Sequence, residues 1–250
     1  MHVVGLWRYP VKSMQGEALK AVEVGVFGIA GDRRFGVQVE ESGRILTAKR
    51  DGRLLTAGAA TTDPVRISLP NGDILDRPGP STDSALSSWL QRSVRLVEAG
   101  DDEGPTFESQ VNDLDDASAS ATWQGRPGPL VDSSPVHLLT TASLRAMALQ
   151  RPDLDWCAAR FRPNVLVEAA GDERVEDAWV GRRCSVGNVQ LEIIKLCERC
   201  VMITRPQPGG LGRQLGALTH LSQVADSCLG VLARVERPGT VALGALVSLE

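Results

Sequence analysis

Aromatic side chains are scarce, at 4% of 250 residues, and lysines are scarcer still: Lys12, Lys20, Lys49 and Lys195 are the whole set. Too few aromatics are present to build a base-stacking surface, so Trp7, Trp89, Trp123, Trp156 and Trp179 are read as packing anchors. A formal charge of -4 argues against a nucleic-acid backbone as partner. The amino terminus has no charged-then-apolar leader, and no apolar run is long enough to cross a bilayer. The expectation is a cytoplasmic protein with neither a membrane nor a nucleic-acid partner. Five cysteines, Cys157, Cys184, Cys197, Cys200 and Cys228, form an odd set without the spacing of a disulfide framework and are read as free thiols. Also missing are internal repeats, a glycine-rich nucleotide loop and any iron-sulfur cysteine cluster.

What is present is β alternation in a chain long enough for one large domain or two coupled ones. Residues 2–8 read as a strand that ends at Tyr9-Pro10, because proline cannot continue a ladder. Residues 22–26, 35–39 and 44–48 also read as strands. Asn71-Gly72 turns a hairpin between 66–69 and Ile74. Thr82 or Asp83 is expected to cap a helix to Leu90, followed by a strand over 94–97. From 100 to 129 the pattern dissolves among Asp101, Asp102, Glu103, Asp113, Asp115 and Asp116, so this stretch reads as a mobile acidic surface loop that can also serve as a lid. Residues 130–139 return to β character, and Thr140 or Thr141 caps a helix carrying Leu144, Met147 and Ala148. Residues 190–194 form a strand into Cys197, and 231–236 with 241–249 read as a hairpin-like pair. The expected division is an amino-terminal unit over 1–99, a linker over 100–129 and a second unit over 130–250.

The chemistry gathers at Lys195 to Thr204, where Cys197 and Cys200 follow the strand. A thiolate is both a nucleophile and a soft metal ligand, and Arg199 beside Cys200 supplies a charge favouring ionisation. Structural zinc needs about four ligands, and no second pair accompanies this one. A redox pair or two inert thiols remain open. Lys12-Ser13 reads either as a solvated turn or as a binding pair, and either Arg33 or Arg34 can face inward, since adjacent strand residues point oppositely. Arg162 and Asn164 place a guanidinium and an amide at a strand entry, where buried polar groups need partners. His137, in an apolar run, is read as a core histidine.

In order along the chain, Tyr9 to Ser13, Gly31 to Phe35, Thr47-Ala48, Asp132 to Pro135, Arg160 to Asn164, Cys197 to Thr204 and Pro238 to Thr240 resemble the MOSC family, especially members with an amino-terminal β-barrel subdomain such as the amidoxime-reducing components. The resemblance implies a mainly β fold with a few helices, a MOSC β-barrel domain coupled to a smaller amino-terminal barrel. It also implies the molybdenum cofactor, with Cys200 as metal ligand and catalytic residue and Asp132 as a catalytic candidate. Lys12, Ser13 and Arg33 fall to the cofactor's phosphate, and Arg162 and Asn164 to its pterin or the metal-bound oxygens. The implied activity is two-electron reduction of a small N-hydroxylated or N-oxide substrate, with electrons from a separate ferredoxin, flavoprotein or cytochrome. The alternative is sulfur transfer through a persulfide on Cys200. One departure stands out: relatives continue after the cysteine with Thr-Val-Asp-Pro, whereas Thr204 here is followed by Arg205-Pro206-Gln207-Pro208.

Overall fold

The computed structural model describes residues 1–62, 64–100, 102–112 and 118–250. The chain is mainly β, with an eight-stranded sheet, a five-stranded sheet and two three-stranded sheets. The strand Val189–Glu198, which buries Val189, Leu191 and Ile193 in alternation, pairs antiparallel with Cys228–Arg237 and forms the spine of the large sheet. That sheet also takes in the amino-terminal strand: His2–Arg8 lies antiparallel to Val165–Glu168, which in turn runs parallel to Val136–Thr140. Its apolar face joins Val3 and Leu6 to Leu138, Val167, Ile193 and Val231 in one core.

The five-stranded sheet sets Phe35–Val39 between Val94–Glu98 and Ile45–Leu46. Its core is shared with Pro80–Leu90, which buries Leu86 and Leu90. The helix begins earlier than expected, with Gly79 as its N-cap and no side-chain cap. Thr82 and Asp83 have other partners: Thr82 Oγ1 donates to Arg77 O at 2.8 Å, and Asp83 accepts from Leu96 N at 2.8 Å. Thr140 does cap the next helix, Thr141–Gln150, accepting from Ser143 N at 3.1 Å.

Two expectations need correction, and one element is added. Residues 100–129 are not patternless, since Thr106–Gln110 and Ser120–Gln124 form antiparallel strands, the first parallel to Ile45–Leu46. Apart from Phe107, the first strand's buried residues are polar, and Glu108 is held by Arg92 at 3.0 Å, so apolar alternation carries little trace of it. The acidic residues Asp101, Asp113, Asp115 and Asp116 lie outside the described residues, while Asp102 and Glu103 are exposed. The carboxy-terminal strands do not form a hairpin-like pair: Gly239–Ala242 pairs with Ala21–Gly25, and Val247–Leu249 pairs with Arg183–Val186. Finally, Leu215–Val224 is a helix that the sequence reading passes over, because no side chain caps its start. No helix among the described residues is long and apolar enough to cross a membrane.

Candidate functional site

A cleft of about 420 Å³ opens where the two β regions meet. Seven basic side chains line it against two acidic ones, Asp132 and Glu198, in a chain whose overall charge is negative. Lys12, Ser13, Arg33, Asp132, Arg162, Asn164 and Cys200, all singled out from sequence, line this one cleft.

The amino-terminal wall is a zipper of short contacts. Arg33 N donates to Tyr9 O at 2.8 Å, Tyr9 N donates to Asp32 Oδ1 at 2.8 Å, and Lys12 N donates to Phe35 O at 2.8 Å. Lys12 and Ser13 are buried, which removes the solvated-turn alternative. Lys12 Nζ donates to Leu130 O at 2.8 Å and to the Asp132 carboxylate, and it sits 4.2 Å from the Phe107 ring centroid. Burial lowers the Lys12 pKa despite Asp132 beside it. Partial desolvation works against ionisation of the half-exposed Asp132, but Lys12 and Lys49 outweigh it and hold the carboxyl below its ordinary value.

The inward arginine is Arg33, whose guanidinium pairs with Asp32 and lies 4.7 Å from the Tyr9 ring centroid. Arg34 points out to Glu98. Ser13, Arg33 and Arg162 all have left-handed backbones, at φ 69°, 47° and 54°. Each such residue costs on the order of 1 kcal/mol or more and persists only where its surroundings hold it, a pattern typical of binding sites.

Arg162 caps the short helix Ala158–Phe161 and stacks 4.2 Å from the same Tyr9 ring. It is 7% exposed, yet its Nη1 has no hydrogen-bond partner among the described residues. Burial brings its pKa down to about 10. Burial likewise pushes Tyr9 up to about 12, and the phenol donates to Pro163 O at 3.1 Å. Asn164 uses its amide within the chain: its oxygen accepts from His137 N at 3.1 Å and from Arg33 Nη1 at 3.4 Å, and its nitrogen donates to Trp7 O at 3.4 Å. It therefore braces Arg33 between two strands.

The thiols stand on the opposite side. Strand Val189–Glu198 slips register against its partner between Ile193 and Lys195 and again between Leu196 and Glu198. Such bulges re-aim side chains. Cys197 is buried, while Cys200 is half-buried and precedes the tight turn Val201–Thr204. Arg199, adjacent to Cys200 in sequence, also reaches the other thiol and the short helix before Arg162. Its Nη1 donates to Cys197 Sγ at 2.9 Å, and its Nη2 donates to Phe161 O at 2.6 Å. Arg160 ties down the cysteine turn by donating to Ile203 O at 3.0 Å.

His137 lies between Arg162 O and Arg199 Nη1, each 3.4 Å from a ring nitrogen, and burial followed by Arg199 drives its pKa well down. The ring is neutral and held in place. In the departing segment, Arg205 Nη2 donates to Lys49 O at 2.7 Å, and Gln207 accepts from Gln15 at 3.0 Å. These contacts fasten the carboxy-terminal loop to the amino-terminal wall.

Three lining residues escape the sequence reading. Ser134 lies inside a segment already singled out, and its buried hydroxyl has no partner among the described residues. Lys49 follows Thr47-Ala48, with Nζ 4.7 Å from the Trp123 ring centroid. Trp123 comes from the hairpin strand the sequence conceals, so it is a cleft wall as well as a packing residue.

None of the five cysteines is joined in a disulfide. Among the described residues, no three His, Cys, Asp or Glu side chains cluster so as to hold a metal ion. The basic cleft, the unmatched Arg162 and Ser134 atoms and a soft thiol fit a group combining phosphate, polar ring and thiophilic metal.

Comparison with known proteins gives the family. Mitochondrial amidoxime-reducing component 1 of Homo sapiens is 26% identical, over 97% of this chain and 81% of its own length. Mitochondrial amidoxime reducing component 2 of Bos taurus is 27% identical over 84% and 68%. Molybdenum cofactor sulfurase of Caenorhabditis elegans is 22% identical over 80% of this chain but 28% of its own length. The MOSC N-terminal beta barrel domain matches residues 1–113 and the MOSC domain matches residues 126–248, so the chain belongs to the MOSC family.

Proposed function

We propose that this chain is a molybdenum-cofactor-dependent oxidoreductase that reduces N-hydroxylated or N-oxide compounds by two electrons. The observation that carries the reading is a thiol, Cys200, in a strongly basic cleft where the buried Arg162 Nη1 lacks a partner among the described residues. Relatives named amidoxime-reducing components support the same reaction class.

In this reading Lys12, Ser13 and Arg33 hold the phosphate, Arg162 faces the pterin, and Cys200 is the metal ligand. Asn164 acts through Arg33, which it braces. When bound, the cofactor supplies a centre that exchanges two electrons, the difficult part of the chemistry. The chain contributes binding and orientation. Arg160 fixes the backbone after Cys200, while His137, neutral and wedged between Arg162 and Arg199, spaces the two residues. Electrons come from a separate donor protein.

Sulfur transfer is a second reading with one contact in its favour. In that reading the persulfide forms on Cys200, and the Arg199 guanidinium that donates to Cys197 Sγ places a cation among the two thiols.

The deciding experiment is molybdenum and pterin analysis on protein from a host that makes the cofactor, comparing wild type, Cys200→Ala and Cys197→Ala. Near-stoichiometric metal and pterin are expected in wild type and Cys197→Ala, with metal and turnover of N-hydroxylated compounds lost in Cys200→Ala. A folded wild type without either component overturns the assignment, and a persulfide on Cys200 would then select sulfur transfer.

A further inference from the structure

The most cationic corner of the cleft already contains an anion, and the two partners differ sharply in exposure. Lys12 is 6% exposed, covered by Phe107 and near Trp123, whereas the Asp132 side chain that meets it is 49% exposed. Asp132 lies in the irregular stretch between the hairpin and strand Val136–Thr140. Arg33 and Arg162 share the Tyr9 ring in the same cleft, and Ser134, two residues beyond Asp132, keeps a buried hydroxyl with no partner among the described residues.

We propose that Asp132 is an internal stand-in for a ligand's phosphate, neutralising Lys12 in the ligand-free protein and leaving it when a phosphate dianion binds across Lys12, Arg33 and Arg162. This rests on the cofactor reading above. A buried ammonium needs a counterion, because an unpaired charge out of water is costly. Once a phosphate supplies two negative charges, a carboxylate on the same lysine repels it at short range. Exposure decides which group moves: Asp132 can swing into water with little desolvation to recover, while Lys12 is enclosed. Phosphate also offers what a carboxylate does not, several acceptor oxygens for planar guanidinium forks. Ser134 is carried on the same segment, so the departure of Asp132 brings its hydroxyl into play as a further phosphate or pterin donor. Asp132 thereby acts in binding, and its role is selectivity for a dianion over monoanions.

The test is inorganic phosphate titration of the cofactor-free full chain by calorimetry, with wild type, Asp132→Asn and Asp132→Asn/Lys12→Met. Thermal melts verify that each is folded. Asp132→Asn is expected to bind phosphate about tenfold more tightly, the size of an ordinary coupling between sites, and the double variant is expected to lose that gain. In wild type, the Asp132 carboxyl carbon resonance should move toward a solvent-exposed value as phosphate saturates, which tests the idea even if Asp132→Asn misfolds. Wild-type binding with no gain in Asp132→Asn, or an unmoved Asp132 resonance at saturation, overturns this inference and leaves the anion seat standing. Absence of binding in both folded proteins overturns the seat as well.

Discussion

The floor under the cysteine turn and the wall facing it each bury an arginine, and the two arginines are separated by one residue. Arg160 is 0% exposed and donates to Ile203 O, Gly212 O and the Asp155 carboxylate at 3.0, 3.3 and 3.2 Å; its Nε alone is unmatched. Arg162 leaves the helix in a left-handed conformation and directs a guanidinium with an unmatched Nη1 into the cleft. One cation completes most of its bonds inside the chain and fixes a loop. The other is enclosed at a desolvation cost that the described residues do not offset with a hydrogen-bonded anion, which is how a site prepared for an external anion looks.

The largest effect separating these roles is expected at Arg160. Arg160→Ala should cost about 3 kcal/mol in urea unfolding, because it strands buried carbonyls and empties a filled site. A loss near zero would break the comparison.

Glu176 provides a buried acidic group of the satisfied kind. It is 0% exposed and accepts from Thr140 Oγ1 at 2.6 Å and Ser143 Oγ at 2.7 Å. Glu176→Ala should cost about 2 kcal/mol by leaving those donors unmatched. Burial outweighs these bonds and raises its pKa. The folded state therefore favours the protonated form. Its stabilising contribution is full below the unfolded glutamate value and is lost as pH rises through the raised folded value. Stability curves for wild type and Glu176→Gln should diverge in that window, with the variant flatter.

Arg162→Met should change ligand-free stability by less than about 1 kcal/mol, in either direction, since a buried charge without an anion is replaced by an apolar chain of similar length. The same variant should weaken phosphate binding about tenfold, as loss of a charged hydrogen bond implies. A large destabilisation with unchanged phosphate affinity would make Arg162 a second Arg160.

Smallest is the acid response of Asp132. Its folded pKa is depressed, so its contribution is present above the unfolded aspartate value and is lost as pH falls through the depressed one, opposite in sign to Glu176. Half exposure keeps the effect slight. Acid titration of Asp132→Asn should remove it, and a variant that follows wild type would show that the pair contributes nothing to folding.

Much of the site is legible in the chain because residue type and order carry it. Thiols at the end of an apolar strand, a lysine–serine pair after Tyr9-Pro10 and the Arg160 to Asn164 stretch converge on one cleft. Trp123 is not legible, because its strand is stabilised by a polar neighbour strand and by distant arginines rather than by local alternation. The partner of Arg199 is equally hidden, since two register slips turn Cys197 toward it.

By itself the sequence determines the β-rich strand pattern, which follows from short-range periodicity, and the ordered motifs through which it resembles the MOSC family. Tertiary structure alone decides that Arg33 rather than Arg34 faces inward, that Arg199 meets Cys197, and that Asp132 closes on Lys12. Each of those outcomes depends on a left-handed residue, a bulge or a contact between distant segments, and local residue spacing encodes none of them.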